Sequence, residues 1–280
     1  MILAVDLGNY NIKTSEDIIF SSRFVIGGDF APLNEESIEY DGIFYTLEKG
    51  EFDNRYNKSE KKYLPNLLYA IGKSTNYNEI DLVLGVPLDN LDIKEKFKAD
   101  LKGKTFKFKI NEKDREIRIN KVATIAEGVS SFYTLSSMDR QKELIIIDIG
   151  GRTTNVVTFI NGKVEKKFTI SKGTIDLYDS IKTRINATGN NYKVEEMERL
   201  IRKNLFERLD EDKRQFLNSI MNEIEFKLKI ETYEIFFTGG GSIELGEVIR
   251  STISKPRFVI NALYSNCLGN KRVVTQKWSV

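Results

Sequence analysis

The sequence predicts an α/β protein, and three segments carry that prediction. The first is ELIIIDIGGRTTNVVTFI at 143–160, in which two apolar runs flank a short glycine turn. The second, MILAVDLGNYNIKTS, opens the chain with the same order of apolar strand, aspartate, glycine and second strand. The third is EIFFTGGGSIELG at 234–246, where a short strand pattern leads into three glycines and a helical pattern. Short apolar runs bounded by turn residues indicate buried strands, and their alternation with helical patterns indicates an α/β fold.

The glycine turn of the first segment has the composition of a phosphate-binding loop. Gly150 and Gly151 allow positive φ and let backbone N–H groups approach a ligand. Thr153 and Thr154 offer hydroxyl groups nearby. Asp148 ends the strand, and its carboxylate would repel phosphate unless a cation lay between them, which predicts Mg²⁺. Taken alone, the segment also fits an ordinary hairpin with a turn-favouring aspartate.

The other two segments repeat parts of this chemistry. Asp6 and Gly8 occupy the corresponding positions of the opening segment, so two hairpins would bracket one ligand. The glycines at 239–241 leave a stretch of backbone without side chains, on which a nucleoside could lie. Ser242 is predicted to be the N-cap of the helix that follows. A plain strand-to-helix turn is the alternative interpretation of this third segment.

Composition limits the class of protein. The 280 residues, 40% of them hydrophobic, suffice for one large or two modest domains. The 43 basic and 41 acidic residues give no global electrostatic case for direct binding to nucleic acid or to an anionic membrane. One cysteine, Cys267, and no histidine exclude disulfide frameworks, multi-cysteine zinc sites and His-dependent triads. Phosphoryl transfer fits this composition, because its catalysis rests mostly on positioning and metal neutralisation.

The sequence also predicts a cytoplasmic protein. The chain opens with a strand that reaches Asp6, rather than with basic residues followed by a long apolar core. No apolar run approaches the length of a membrane span. A single cysteine fits a reducing compartment.

The first half of the chain is predicted to be rich in strands. Successive short strands at the start imply an antiparallel edge, and 27–60 is predicted to be an inserted subdomain. The predicted elements are strands at about 1–6, 11–15, 18–24 and 42–47, a helix at 64–71, a strand at 80–86 ending at Pro87, a helix at 93–101 and a hairpin of 106–110 with 117–119.

A helix is predicted to begin at Ala126-Glu127-Gly128 and to continue through Tyr133. Glu127 is the best-placed carboxylate ahead of the central segment. On the sequence alone, an ordinary first-turn glutamate favoured by the helix dipole accounts for it better.

The second half is predicted to alternate strands with charged helices. Asn161-Gly162, between two strand patterns, is a strong hairpin signal. The other predicted elements are a strand at 164–170, helices at about 174–185, 194–209 and 213–230, a strand at 235–237, a helix from 242 through 253, a strand at 257–260, a helix at 261–268 and a tail at 271–280 that contains Trp278.

The order of these motifs along the chain is itself distinctive. It runs through Asp6-Leu7-Gly8, Ala126-Glu127-Gly128, Asp148-Ile149-Gly150-Gly151, Thr238 to Gly241 and Asn261-Ala262-Leu263-Tyr264. In this order the motifs resemble the actin, heat-shock chaperone and sugar kinase superfamily. Within it, the stretches DLGNYNIKT, LVLGVPLDNL, VATIAEGVSSFY, IIDIGGRTTNVV and INALYSNCLGN are similar to the ParM-like bacterial actins, and the resemblance covers most of the chain.

The resemblance implies an actin-like α/β fold, with two domains of duplicated mixed β-sheets and flanking helices around a nucleotide cleft. Domain I would span 1–142, with the inserted subdomain at 27–60 and the last helix, about 261–270, returning to it. Domain II would span 143–260, with a helical subdomain at about 174–232.

The same resemblance implies roles for individual residues. Gly8 to Asn11 would hold the β- and γ-phosphates with Lys13 beside them, and Gly150 to Thr154 would contact phosphate from the other domain. Asp6 and Asp148 would hold Mg²⁺, mainly through water, and Glu127 would orient the attacking water. The implied nucleotide-binding residues are Asp6, Gly8, Asn9, Tyr10, Asn11, Lys13, Gly150, Gly151, Arg152, Thr153, Thr154, Gly173, Gly239, Gly240, Gly241 and Ser242, and the implied catalytic residues are Glu127 and Asp148. Arg152 departs from many relatives, which have a small or hydroxyl residue there.

The activity implied is that of an ATPase that polymerises with ATP, disassembles after hydrolysis and segregates plasmid DNA. ATP is the expected nucleotide, with GTP as an alternative. The expected partners are other copies of the chain and an adaptor protein bound to centromere-like plasmid DNA, with no direct contact to nucleic acid or membrane.

Two other functions fit parts of the sequence. A small-molecule kinase of the same superfamily, of the pantothenate or sugar type, would need an aspartate base, for which Asp176 is the candidate. A nucleotide-regulated scaffold would bind ATP without hydrolysis, and the presence of Glu127 argues against it.

Overall fold

The computed structural model describes residues 1–27, 35–53, 62–86 and 91–278, with the side chains of residues 91 and 92 left aside. Parts of the predicted inserted subdomain, and the predicted strand end at Pro87, lie outside the described residues. The chain divides into two compact units. Unit 1 comprises Met1–Thr134 and Asn266–Val280, and unit 2 comprises Leu135–Ser265.

Unit 1 is built on a nine-stranded mixed sheet in the order β3-β2-β1-β7-β9-β8-β5-β6-β4. Its strands are β1 (Ile2–Leu7), β2 (Asn11–Thr14), β3 (Ile19–Ser21), β4 (Phe24–Ile26), β5 (Ser37–Tyr40), β6 (Ile43–Leu47), β7 (Glu79–Val86), β8 (Thr105–Ile110) and β9 (Lys113–Ala126). β1 pairs with β7 and β7 with β9 in parallel, whereas the other pairs are antiparallel. The predicted antiparallel edge at the start of the chain is confirmed, while β5 was not predicted.

In the part of unit 1 that the structure describes, the α-helices are α1 (Leu64–Ser74), α2 (Leu91–Leu101) and α8 (Ser265–Trp278), which enters this unit at its second residue. Cys267 and Val274 of α8 pack with Ala4 and Val83 in one apolar cluster. The prediction of a tail at 271–280 is therefore wrong, because α8 continues to Trp278. The ammonium group of Lys121 lies 5.3 Å from the centroid of the Trp278 ring.

Unit 2 is built on a five-stranded sheet in the order β12-β11-β10-β13-β14. Its strands are β10 (Leu144–Ile149), β11 (Thr154–Ile160), β12 (Lys163–Ile170), β13 (Glu234–Thr238) and β14 (Arg257–Phe258). β10 is buried along its whole length and pairs with β11 in antiparallel and with β13 in parallel fashion. The predicted Asn-Gly hairpin is confirmed, since Asn161 (φ 50°) and Gly162 (φ 73°) both have the positive φ of such a turn.

The helices of unit 2 are α3 (Thr174–Asn186), α4 (Val194–Arg202), α5 (Leu209–Lys227), α6 (Gly240–Glu244) and α7 (Gly246–Thr252). The helix predicted over 194–209 is shorter, and Arg208, with φ 62°, precedes α5. The strand predicted over 257–260 covers two residues only. The last helix begins at Ser265 rather than at residue 261.

The helix predicted to begin at Ala126 is wrong. β9 continues to Ala126, because that residue is still in register with Val86 of β7. Gly128 then turns the chain with φ +75°, and a short 3-10 helix follows at Ser130–Thr134. Glu127 therefore lies in a strand-to-turn junction and not in the first turn of an α-helix.

Candidate functional site

The first glycine loop joins β1 to β2. Gly8 is required there, because a Cβ at this position would lie 2.4 Å from the backbone oxygen of Asn11. Ser22 fixes the outer part of the loop, since its hydroxyl donates to the carbonyl oxygen of Asn9 at 2.7 Å and its N–H donates to that of Tyr10 at 2.9 Å. The loop thus presents its backbone without a side chain at its tightest point.

Opposite charges lie at the base of this loop. Asp6 and Lys13 face each other across the β1–β2 pair, and Lys13 Nζ lies 3.7 Å from Asp6 Oδ2. Both side chains are largely buried, with 13% of Lys13 and 8% of Asp6 exposed. A carboxylate paired with an ammonium beside an open backbone loop offers groups for a cation and for phosphate oxygens alike.

The Glu127 turn, residues 126–128, lies at the carboxyl end of β9 in the same unit. The N–H of Glu127 donates to the carbonyl oxygen of Val86 at 2.8 Å, which ties the turn to β7. Glu127 is 9% exposed. The turn and the first glycine loop thus follow the carboxyl ends of β9 and β1, two strands that lie on either side of β7 and pair with it in parallel.

Helix α8 holds the Glu127 turn through Asn266. The side-chain oxygen of Asn266 accepts hydrogen bonds from the N–H of Gly128 at 3.2 Å and from the hydroxyls of Ser130 and Ser131 at 2.9 Å each. Asn266 is not among the site residues predicted from the sequence. No periodic pattern could have found it, because the contact joins positions 138 residues apart.

The same helix also contacts the first glycine loop. The Cys267 thiol donates to the carbonyl oxygen of Lys13 at 3.4 Å. Burial, and after it the negative charges of Asp6 and Glu127, raise the pKa of the Cys267 thiol. Helix α8 thus contacts Lys13, the partner of Asp6, through Cys267 and the Glu127 turn through Asn266.

The second glycine loop joins β10 to β11 in unit 2. Gly150 closes it, donating its N–H to the carbonyl oxygen of Thr153 at 2.9 Å. Helix α3 begins directly against the loop, because the N–H groups of Thr174 and Ile175 donate to the carbonyl oxygens of Gly150 and Gly151 at 2.9 and 2.8 Å. The N-terminus of a helix, with its positive partial charge, thus lies against the loop predicted to bind phosphate.

Gly173 is a second position where only glycine fits. A Cβ there would lie 2.4 Å from the carbonyl carbon of Gly151 and 2.5 Å from the nitrogen of Arg152. Arg152 is 9% exposed. The hydroxyl of Thr154 donates to the carbonyl oxygen of Lys172 at 2.9 Å, so it serves the loop rather than pointing freely outward.

Asp176 caps the start of α3. Its Oδ2 accepts a hydrogen bond from the N–H of Gly173 at 2.8 Å. Burial raises the pKa of the Asp176 carboxyl, opposed by the hydrogen bond from Gly173 and by the charge of Arg152. Asp176, the residue predicted as a kinase base, thus stabilises the start of α3.

The triple-glycine segment packs against the end of β10. Gly239 has φ +82°, and a Cβ on it would lie 2.4 Å from Asp148 Oδ1. A Cβ on Gly241 would lie 2.2 Å from a methyl carbon of Ile149, whereas Gly240 has ample space. Asp148 is 5% exposed. Gly239 is needed for the backbone to come close to its carboxylate, and Gly241 for close packing on Ile149.

The prediction that Ser242 caps the following helix is wrong. Helix α6 already begins at Gly240, with Gly239 as its N-cap residue. The hydroxyl of Ser242 instead donates back to the carbonyl oxygen of Gly239 at 2.8 Å and is buried. The chain can turn into the helix earlier because the glycines impose no Cβ contact on the first turn.

An open pocket of about 610 Å³ lies beside this segment in unit 2. Its lining includes Ser242, Ile243, Gly246, Arg250 and Tyr264. Its volume is within the range of pockets that hold small ligands, and it combines apolar walls with a few polar groups. The pocket adjoins the glycine segment at Ser242, the segment for which the sequence predicted contact with a nucleoside.

The described residues contain no cluster of three or more Asp, Glu or Cys side chains that could enclose a metal ion. Mg²⁺ keeps several water ligands and is often bound by one or two carboxylates together with substrate phosphates. The residues present therefore fit a metal that arrives with a nucleotide rather than a resident ion.

Among the described helices, none combines the length and apolar character needed to cross a bilayer.

Two family models match successive ranges of the chain. The model of the N-terminal domain of actin-like proteins matches residues 4–129. The model of the C-terminal domain of the MreB-like archaeal actin homologue matches residues 146–251. Together they cover most of both units, and the chain belongs to the actin-like proteins. No curated protein matches the sequence.

Solved structures confirm the actin-like fold. An archaeal actin homologue, Ta0583, in complex with ADP has a TM-score of 0.79 at 20% identity, over 99% of this chain and 99% of its own. A subunit of a 15-stranded ParM filament from Clostridium botulinum has a TM-score of 0.79 at 19% identity, over 98% of this chain and 99% of its own. An AlfA filament bound to AMPPNP has a TM-score of 0.63 at 20% identity, over 100% and 98%. The ParM-like resemblance stated from the sequence is thus confirmed at the level of the family and fold.

Proposed function

We propose that the chain binds Mg²⁺-ATP, polymerises with it into filaments and disassembles after hydrolysis. The observation that carries the proposal is the recurrence of one arrangement in both units. In each, a buried strand carries a largely buried aspartate next to its last residue and runs into a glycine loop. In each, one glycine at or against the loop admits no Cβ, Gly8 in unit 1 and Gly173 in unit 2. Backbone N–H groups and a neighbouring cation or helix N-terminus then favour phosphate oxygens.

The roles of individual residues follow from this chemistry. Gly8 to Asn11 and Gly150 to Thr154 contact the phosphates, with Lys13 supplying positive charge. Asp6 and Asp148 hold the metal, mainly through its water ligands. The metal, when bound with the nucleotide, neutralises charge that develops on the phosphoryl oxygens. Glu127 orients the attacking water.

The related structures support two parts of the proposal, nucleotide binding and self-assembly. The archaeal homologue is solved with ADP, and the AlfA filament with AMPPNP, which supports an adenine nucleotide for this chain. The ParM and AlfA structures are filaments, which supports polymerisation. We extend the proposal to the segregation of plasmid DNA through an adaptor protein. The nearly balanced count of 43 basic and 41 acidic residues fits an indirect rather than a direct contact with DNA.

No specific observation favours the kinase. Its candidate base, Asp176, accepts a hydrogen bond from Gly173 and stabilises the beginning of α3. A base that must take a proton from a substrate hydroxyl needs to reach that substrate, and this carboxylate is held by the loop instead.

The proposal is tested by right-angle light scattering together with phosphate release. Purified protein at tens of micromolar receives Mg²⁺ with ATP, with ADP or without nucleotide, and pelleting and electron microscopy identify the scattering species. We expect a rise with ATP that decays as phosphate appears, and little change with ADP. A flat trace over this range, with ATP bound, would overturn the filament proposal and favour a substrate screen for a kinase.

A further inference from the structure

Helix α8 carries a buried amide that side-chain packing does not explain. Asn270 is 0% exposed, and neither its Nδ2 nor its Oδ1 has a hydrogen-bond partner within the described residues. A buried amide without partners destabilises a protein, whereas an apolar side chain of similar size at the same place would not. A buried, unpaired amide beside the candidate site indicates a hydrogen-bonding partner that belongs to that site.

Gly85 of β7 shows where that amide lies. A Cβ built on Gly85 would be 3.7 Å from Asn270 Nδ2 and 3.7 Å from Glu127 Oε1. The amide nitrogen and the carboxylate oxygen are therefore no further apart than twice this distance, and both lie next to a position without a side chain. A single water molecule that accepts from the amide and donates to the carboxylate would span about 5.5 Å.

Asn270 is also fixed relative to the Glu127 turn. Asn266, one helical turn earlier and on the same face of α8, accepts three hydrogen bonds from residues 128–131. Gly269 brings the helix into backbone contact with this segment, because a Cβ there would lie 1.9 Å from the carbonyl oxygen of Ser130. The helix cannot shift without breaking these contacts, so the amide is held at a defined place beside the carboxylate.

We propose that Asn270 is a positioning residue for Glu127, which it orients through one water molecule that accepts from the amide and donates to the carboxylate. The inference rests on the proposed ATPase function and deepens it, because it adds a residue that sets the direction of the group that orients the attacking water. Asn270 itself acts only through Glu127.

The first test is Asn270→Leu, which removes the amide and keeps the branched shape and the number of side-chain heavy atoms. We expect kcat for phosphate release to fall about tenfold while KM for ATP stays within about twofold. The urea midpoint should stay the same or rise, because two unpaired polar atoms leave the interior. Val274→Ala, at another buried position of α8, is the matched control, since it should lower the urea midpoint and leave kcat unchanged.

A double-mutant cycle shows whether Asn270 acts through Glu127. In a Glu127→Ala background, Asn270→Leu should cause no further loss of kcat, because the group that it orients is absent.

Gly85→Ala is an independent variant that we expect to fold normally, since no atom lies closer than 3.4 Å to the added methyl group. It places that methyl group against both the amide and the carboxylate, where it takes up space next to the bridging water, so it should lower kcat several-fold without changing KM.

The outcomes separate this inference from the proposed function. Wild-type phosphate release that falls in Glu127→Ala but not in Asn270→Leu or Gly85→Ala would overturn the positioning role and leave the ATPase intact. Additive losses in the double mutant would overturn it as well. Absence of phosphate release from the wild type would overturn the proposed function, and the positioning role with it.

Discussion

The two glycine loops share a sequence pattern but are held in place differently. In unit 1, the loop is held mainly by side-chain contacts, because Lys13 pairs with Asp6 and the Ser22 hydroxyl donates to the loop. In unit 2, the loop is held mainly by backbone hydrogen bonds, because α3 donates its first N–H groups to the loop carbonyls. One pattern thus has two physical solutions. The first loop is held by an ion pair and a serine, and the second by a helix N-terminus that comes close because Gly173 carries no Cβ.

The largest effect is expected where backbone packs against backbone in unit 2. Gly239→Ala should lower the free energy of unfolding by about 3 kcal/mol, because its Cβ would overlap Asp148 and its φ is positive. Gly240→Ala is the matched control, with 3.7 Å to its nearest neighbour, and should change stability by less than about 0.5 kcal/mol. Urea unfolding measures both. Equal effects of the two substitutions would mean that the backbone at Gly239 adjusts to the added Cβ.

Removing Glu127 tests the chemistry that unit 1 contributes. Glu127→Ala should lower kcat for phosphate release by about 10²-fold, while ATP affinity stays within about twofold. Glu231→Ala, at an exposed position of unit 2, controls for loss of a carboxylate in general. Normal turnover in Glu127→Ala would contradict the assignment.

Asp148 tests the metal contribution of unit 2. Asp148→Ala should weaken Mg²⁺-ATP binding about tenfold, because a carboxylate that holds metal-bound water is lost. Titration of a fluorescent ATP analogue with Mg²⁺ and with EDTA measures this. The difference between the two titrations should shrink in the variant. Unchanged affinity at saturating Mg²⁺ would show that Asp148 is only a turn residue.

A smaller effect concerns the acid stability of unit 2. Arg257 donates to Asp139 at 3.1 Å and to Glu234 at 2.7 Å. The hydrogen bond from Arg257, opposed by burial and aided by Ser136, lowers the pKa of Asp139 from 3.8 to about 2. Because the folded-state pKa is depressed, the stabilisation is fully present above about pH 4 and is lost as the pH falls towards 2.

Arg257→Leu should therefore cost about 1 kcal/mol at pH 7 and less at pH 2, since the ion pair is partly exposed. Urea midpoints at the two pH values measure the difference. Arg208→Leu, whose guanidinium pairs with Glu211 at an exposed helix start, is the control and should have a smaller effect. A cost for Arg257→Leu that is independent of pH would assign the loss to packing of its side chain on Phe236.

The sequence predicted those parts of the molecule whose cause is local. The strands that end at Asp6 and Asp148, and the Asn161-Gly162 turn, follow from apolar runs and turn chemistry that neighbouring residues determine. The Glu127 helix was wrong because pairing of β9 with β7 overrides the local pattern. Asn266 and Asn270 could not be recognised, because the residues next to them in the fold lie far away along the chain. Gly269, a glycine inside a helix, was the available signal of a close backbone contact there.

The return of α8 to unit 1 has a consequence for how the molecule folds. The contact between Gly128 and Asn266 closes a chain segment of 138 residues, which is slow and entropically unfavourable if the segment is unfolded. Within unit 2, however, Asp139 and Arg257 are hydrogen-bonded near its two ends. Once unit 2 has folded, the loop to be closed is far shorter than the sequence separation suggests. The Glu127 turn should thus be completed late, after the inserted unit has shortened the path, and substitutions that slow unit 2 should delay the appearance of activity.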